Sequence, residues 1–187
     1  MTLDTKKTEY GICSFSGFEA IENLLMWGYY ANGFKGVAIE IEVDEQNVEK
    51  VNYVEDLADI SKERVGNTTN NIVKKILTTK LNCWKHEEEY RFLIKCLDNF
   101  NENESGIEKK IEKITAIYFG DPFGNTENAK KIVNGSKSLR KYKKYRERLE
   151  TLADEKGIPC STIKIKENIR KYYSVETITG NNRQRVK

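Results

Sequence analysis

The chain has 187 residues, of which 38% are hydrophobic, 33% charged and 10% aromatic. That is one domain's worth of chain, too apolar and too aromatic for a disordered polymer. Its 32 basic and 29 acidic residues leave a formal net charge of +3, a balance that neither demands nor excludes nucleic acid. No apolar run approaches the roughly 20 residues that span a bilayer. The stretch Met1 to Tyr10 is polar and lacks a signal-peptide core. These features predict a cytoplasmic protein with no membrane partner. Cys13, Cys83, Cys96 and Cys160 lie far apart, with no C-x-x-C pair, and read as reduced thiols buried in or near strands. The single histidine, His86, excludes any site that needs two and with it most catalytic zinc sites; a carboxylate-only Mg²⁺ or Ca²⁺ site stays open, but no EF-hand pattern is present and no metal ligand is assigned.

In chain order, Gly11 to Phe15 reads as a strand. Ser16-Gly17-Phe18-Glu19 fits a capping box, which predicts a helix over 17–31 closed by Asn32-Gly33. Val37, Ile39, Ile41 and Val43 alternate with Ala38, Glu40 and Glu42, a strand with one buried face. Val48 to Val54 is a weaker strand. Residues 56–82 read as mostly helical with a break at 65–67, Asn67 or Thr68 capping a helix that carries Ile72, Val73, Ile76 and Leu77. Tyr90 to Leu97 is a strand and 99–106 a polar loop. Ile114 to Phe119 is a strand closed by Gly120-Asp121-Pro122. A helix over 126–134 follows, then the longest one, Lys137 to Lys156, stopped by Gly157 and Pro159. Strands at 161–165 and 173–178 complete the list. The whole predicts one α+β domain over 1–180, with a mixed or antiparallel sheet and flanking helices, and a basic, frayed tail over 181–187.

Three segments carry the distinctive residues. They are Cys13-Ser14-Phe15-Ser16; then Leu25-Met26-Trp27-Gly28-Tyr29-Tyr30-Ala31 with Lys35-Gly36-Val37-Ala38-Ile39-Glu40; then Lys80 with Trp84-Lys85-His86-Glu87-Glu88-Glu89-Tyr90-Arg91. Their order resembles an uncharacterised bacterial and phage domain family whose pattern runs C-F-S, L-M-W-x-x-Y-A, K-G-V-x-I-E, K, W-x-x-E-x-E-Y-R, with a later strand ending in glycine like Ile117-Tyr118-Phe119-Gly120. The resemblance covers roughly residues 12–120. It implies a role in phage–host conflict and draws attention to Glu87, Glu89 and Arg91, which match the motif; Glu88 does not and is expected to be exposed. One departure is clear. Members of that family carry an arginine-containing strand before C-F-S, whereas the first arginine here is Arg64. The resemblance therefore leaves room for a second copy or another protein to complete the fold.

The chemistry of these residues suggests a nucleotide. In an extended segment Glu87 and Glu89 share a face. Two carboxylates beside Trp84 and Arg91 can bind a ribose diol or stabilise an oxocarbenium-like transition state. The bland alternative is a solvated acidic edge before a buried strand. Ser14 and Ser16 as S-x-S, with Glu87 and Glu89 as E-x-E, are also similar to one class of ADP-ribosyltransferases, whose last glutamate steadies the ribose cation of NAD. The capping-box reading competes for Ser16. Trp27 and Tyr30 are candidates to stack on a base, against a core role for Trp27, and Lys35 to meet a phosphate. Trp84 reads as a core anchor that orients the glutamates, and His86 as exposed. These residues predict a nucleotide-handling protein, with glycosidic cleavage of NAD as substrate or ADP-ribosyl transfer, and no tightly bound cofactor. The alternative is a non-catalytic module that grips a nucleotide, nucleic acid or protein. For that alternative the basic run Lys137 to Arg146 offers Arg140, Lys141 and Lys144 to a phosphate backbone.

Overall fold

The computed structural model describes residues 6–57, 68–95, 111–121, 131, 135–167 and 173–179. The fold is α+β, with one antiparallel, one mixed and one small parallel sheet. Expectations for Cys96, the loop 99–106, the helix 126–134 (except Lys131, which is helical), the break at 65–67 and the tail lie outside the described residues. The chain gathers into two compact units. One comprises Met1–Ala20 and Val43–Ile111, the other Ile21–Glu42 and Glu112–Lys187.

In the first unit, β1 (Tyr10–Ser16) pairs antiparallel with β6 (Glu89–Lys95), and the two-residue β3 (Glu49–Lys50) pairs with the other edge of β6. A separate parallel pair joins β4 (Asn52–Val54) to β5 (Thr79–Leu81). Between them in the chain lies helix α2 (Thr69–Leu77), which follows the shorter α1 (Leu24–Tyr29). Of the two caps the sequence offers, Asn67 and Thr68, the helix uses Thr68, whose hydroxyl accepts from the Asn71 amide. Among the described residues of this unit Ala20, Val51, Val73 and Phe92 are the buried apolar ones, and Phe15 meets Phe92 edge to face at 4.9 Å. The predicted strand over 48–54 is broken in two at Val51. Its side chain is buried and its amide donates to the Glu89 carbonyl at 2.9 Å, so the two halves pair with different neighbours.

In the second unit the sheet runs β2 (Val37–Glu42), β7 (Lys113–Asp121), β8 (Cys160–Glu167), β9 (Tyr173–Thr179). Both faces of β7 are covered. Ala116 and Tyr118 pack with Trp27, Ala31, Phe34 and Ile163, while Ile117 and Phe119 pack with Ala153 of α3 (Lys137–Glu155). Burial on both faces accounts for the run Ala116-Ile117-Tyr118-Phe119, in which no position alternates to a charged residue. Gly157, at φ 66°, ends α3 in the left-handed conformation that glycine adopts freely.

The helix expected over 17–31 is interrupted. A 3₁₀ turn spans Phe18–Glu22 and α1 spans Leu24–Tyr29. Ser16 is the last residue of β1 and caps nothing; Asn23 is the N-cap, its side-chain oxygen accepting from the Leu25 amide at 2.9 Å. The S-x-x-E spacing is therefore met by a strand end, and the shorter helix is anchored by Trp27, whose indole N–H donates to the Ile21 carbonyl at 2.7 Å. β7 also continues through Gly120 and Asp121 instead of stopping at Phe119. Against the expected burial, Cys13 on β1 and Cys83 in a 3₁₀ turn are exposed, and Cys160 is half-buried; all three are free thiols.

Candidate active site

The acidic segment is not a plain extended run. Residues Asn82–Glu87 form a 3₁₀ turn, Glu88 sits at φ 45° and ψ 50°, and β6 begins at Glu89. The left-handed residue turns the chain so that Glu87 and Glu89 are both buried, at 3% and 5% exposure, while Glu88 faces solvent. Convergence of the two motif carboxylates thus comes from a kink and not from strand alternation.

What they converge on is Lys80. Its ammonium bonds a carboxylate oxygen of Glu87 and lies 2.9 Å from Oε2 of Glu89. Lys80 is on β5 opposite Tyr53 of β4, and the Tyr53 hydroxyl accepts from the Glu89 amide at 2.9 Å. Arg91, two residues along β6, clamps Glu89 from the side: Nε to Oε1 at 2.8 Å and Nη2 to Oε2 at 3.0 Å. Its third nitrogen donates to the Leu77 carbonyl, tying the clamp to the end of α2. Ser14, the strand partner of Arg91 in the β1–β6 register, adds a side-chain hydrogen bond to Glu89.

Burial alone would raise the Glu89 pKa. The bonds from Arg91, Ser14 and Lys80 outweigh it and hold the carboxyl down at about 2. Lys80 responds in the reciprocal way: burial lowers its pKa, its bonds to Glu87 and Glu89 raise it, and the net shift is upward. Glu89 and Lys80 are therefore both charged at neutral pH, which suits electrostatic stabilisation and not proton transfer by Glu89.

The cluster opens to solvent on the side of Lys80 and Ser14. Lys80 lies 5.3 Å from the ring centre of Trp84, which is 40% exposed. Trp84, expected as a core anchor, is an exposed platform, because the 3₁₀ turn carries it outward. Ser16 is also exposed, paired with Glu89 in the strand register. His86 is half-buried, its Nδ1 3.1 Å from the Cys83 carbonyl. Trp27, Tyr30 and Lys35 belong to the second unit. Trp27 is in its core, stacked on Phe34 at 5.4 Å, Tyr30 is exposed and Lys35 half-buried. A cavity of about 430 Å³ in that unit is lined by Lys113, Ile114, Thr115 and residues 156–159, none of them a site candidate in the sequence.

Lys80 and Tyr53 are the participants that residue-by-residue reading left without a role. Lys80 stands in the motif as an isolated lysine, and that was its signal; Tyr53 has none. Among the described residues no group of three or more acidic, histidine or cysteine side chains could hold a metal ion, and no helix is long and apolar enough to cross a membrane. Comparison with family models, curated proteins and solved structures finds no match.

Proposed function

We propose that this chain is a cytoplasmic nucleotide-handling protein that cleaves the nicotinamide–ribose bond of NAD, either to water or to an ADP-ribose acceptor. One observation carries the reading: two buried carboxylates converge on a single cation, with Glu89 held ionised. A site that holds an ammonium between two carboxylates offers the charge that an oxocarbenium ion needs. In the reaction the C–N bond breaks with its electron pair leaving on nicotinamide. The ribose carbon becomes cationic, and water or an acceptor hydroxyl adds to it and releases a proton. Glu89 and Glu87 face that cation, Ser14 fixes the Glu89 carboxylate, and Arg91 orients it. Trp84 offers a stacking surface and Lys80 a phosphate contact once its ammonium yields to substrate.

A second reading, a non-catalytic nucleotide binder, is favoured by a different observation. A carboxylate has about four acceptor positions. Arg91 fills two on Glu89, Lys80 a third and Ser14 a fourth, which leaves none for a ribose hydroxyl while Lys80 stays in place.

The two readings separate in one experiment. Pure protein is incubated with NAD while free nicotinamide and thermal shift are followed together. Cleavage predicts release that Glu89→Gln abolishes and that Ser14→Ala, which removes one exposed hydroxyl, lowers severalfold with the circular dichroism unchanged. A thermal shift without release favours the binder. Full release from folded Glu89→Gln would sink the catalytic assignment.

A further inference from the structure

Helix α3 carries a basic stripe. Lys137, Arg140, Lys141, Lys144 and Arg148 are all exposed. At 3.6 residues per turn they fall within roughly 100° of arc and extend along about 16 Å of helix. The opposite face is the packed one: Leu139 and Ala153 are buried, Tyr142 and Leu149 half-buried, and the Tyr142 hydroxyl donates to the Gly120 carbonyl at 2.5 Å. The basic residues of the helix are thus sorted by function. Arg146 turns inward, where it donates to Glu150 at 2.9 Å and to the Thr162 hydroxyl at 2.7 Å and covers the Phe119 ring at 4.8 Å. Lys143 pairs with Glu147 at 4.0 Å on the flank of the stripe. Beside the stripe stands Tyr145, 58% exposed, with the Lys141 ammonium 5.6 Å from its ring centre.

A run of five cations on one rigid face, with an exposed aromatic ring alongside, is complementary to a regularly spaced polyanion. We infer that the outer face of α3 binds the phosphodiester backbone of nucleic acid through Lys137, Arg140, Lys141, Lys144 and Arg148, with Tyr145 stacking on bases of an unpaired strand. Arg146, although it lies within the same basic run of sequence, takes no part. Recognition through phosphates alone carries no base sequence preference. This surface belongs to the second unit and stands independently of the carboxylate cluster.

The test uses the full chain and a fluorescein-labelled 20-nucleotide single strand, the corresponding duplex, and phosphatidylserine vesicles. Anisotropy should report binding of one or both nucleic acids at low salt, weakening roughly 100-fold for the single strand and roughly 500-fold for the duplex between about 50 and 200 mM salt, as five phosphate contacts require. K141E/K144E should weaken it by about tenfold or more. The charge-matched control K113E/K156E, at two exposed lysines elsewhere in the same unit, should change it by no more than about twofold. Tighter binding of the single strand, lost in Tyr145→Ala, would support the stacking role. Absence of binding at low salt, equal losses in the two double variants, or binding to vesicles alone would overturn the inference.

Discussion

Glu88 has left-handed backbone angles, which cost a residue with a Cβ roughly 1–2 kcal/mol. The cost is tolerated because its neighbours gain so much: Glu87 and Glu89 reach Lys80 together, and the Glu88 carbonyl accepts from the Gly17 amide at 2.9 Å. The sequence motif marked Glu87, Glu89 and Arg91 as a unit, and they are one. It could not supply the kink, because a left-handed glutamate is disfavoured locally and is imposed by the contacts on either side. The pairing has a consequence for acid stability. The Glu89 carboxyl titrates at about 2 when folded against an ordinary 4.5. A lowered folded pKa contributes stability that is fully present above the unfolded value and lost as pH falls through the folded one. The contribution is on the order of 3 kcal/mol, fading between about pH 4.5 and 2. Urea midpoints for the wild type should therefore drop across that window, and those of folded Glu89→Gln should drop less. Parallel curves for the two proteins would mean that Glu89 is not held ionised.

At the level of the element, local signals and packing part company around residues 16–31. The S-x-x-E pattern is real, but Ser16 is committed to β1 by its pairing with Glu89, so the cap passes to Asn23. Helix α3 shows the opposite case: its bounds and its glycine stop are read from sequence within one residue at its end, and the structure adds a Ser136 cap. The strand β7 ran longer than expected because Gly120 does not end it. A Cβ at Gly120 would come within 2.2 Å of the Phe34 carbonyl oxygen, and its amide donates to the Gly36 carbonyl at 3.2 Å. The glycine is there for close approach of two backbones, not for a turn. Gly120→Ala should therefore destabilise the protein by at least about 2 kcal/mol, as strained core substitutions do. Chemical denaturation reads this directly; a change under about 0.5 kcal/mol would show that the Phe34 segment can simply move aside.

For the whole molecule, each of the two units is assembled from two separate stretches of chain, and each holds one of the two tryptophans. Trp27 is buried and Trp84 is 40% exposed. Trp84→Phe leaves a blue-shifted, quencher-protected reporter of the second unit; Trp27→Phe, or the milder Trp27→Tyr if folding fails, leaves a red-shifted reporter of the first. Because neither unit is one continuous segment, unfolding either disturbs the chain ends of the other, and a single denaturant midpoint is expected from both reporters. Separated midpoints would mean that the units unfold independently. The sequence by itself determined the α+β class, most of the elements and the three motif residues, because periodicity, caps and glycine stops act over a few neighbours. Tertiary structure alone decided that Lys80 and Tyr53 join the carboxylates, that Trp27 is core while Trp84 faces water, and that Arg146 leaves the basic run. Those outcomes depend on strand register and on which side of a helix is covered, and both are set by packing between residues far apart in the chain.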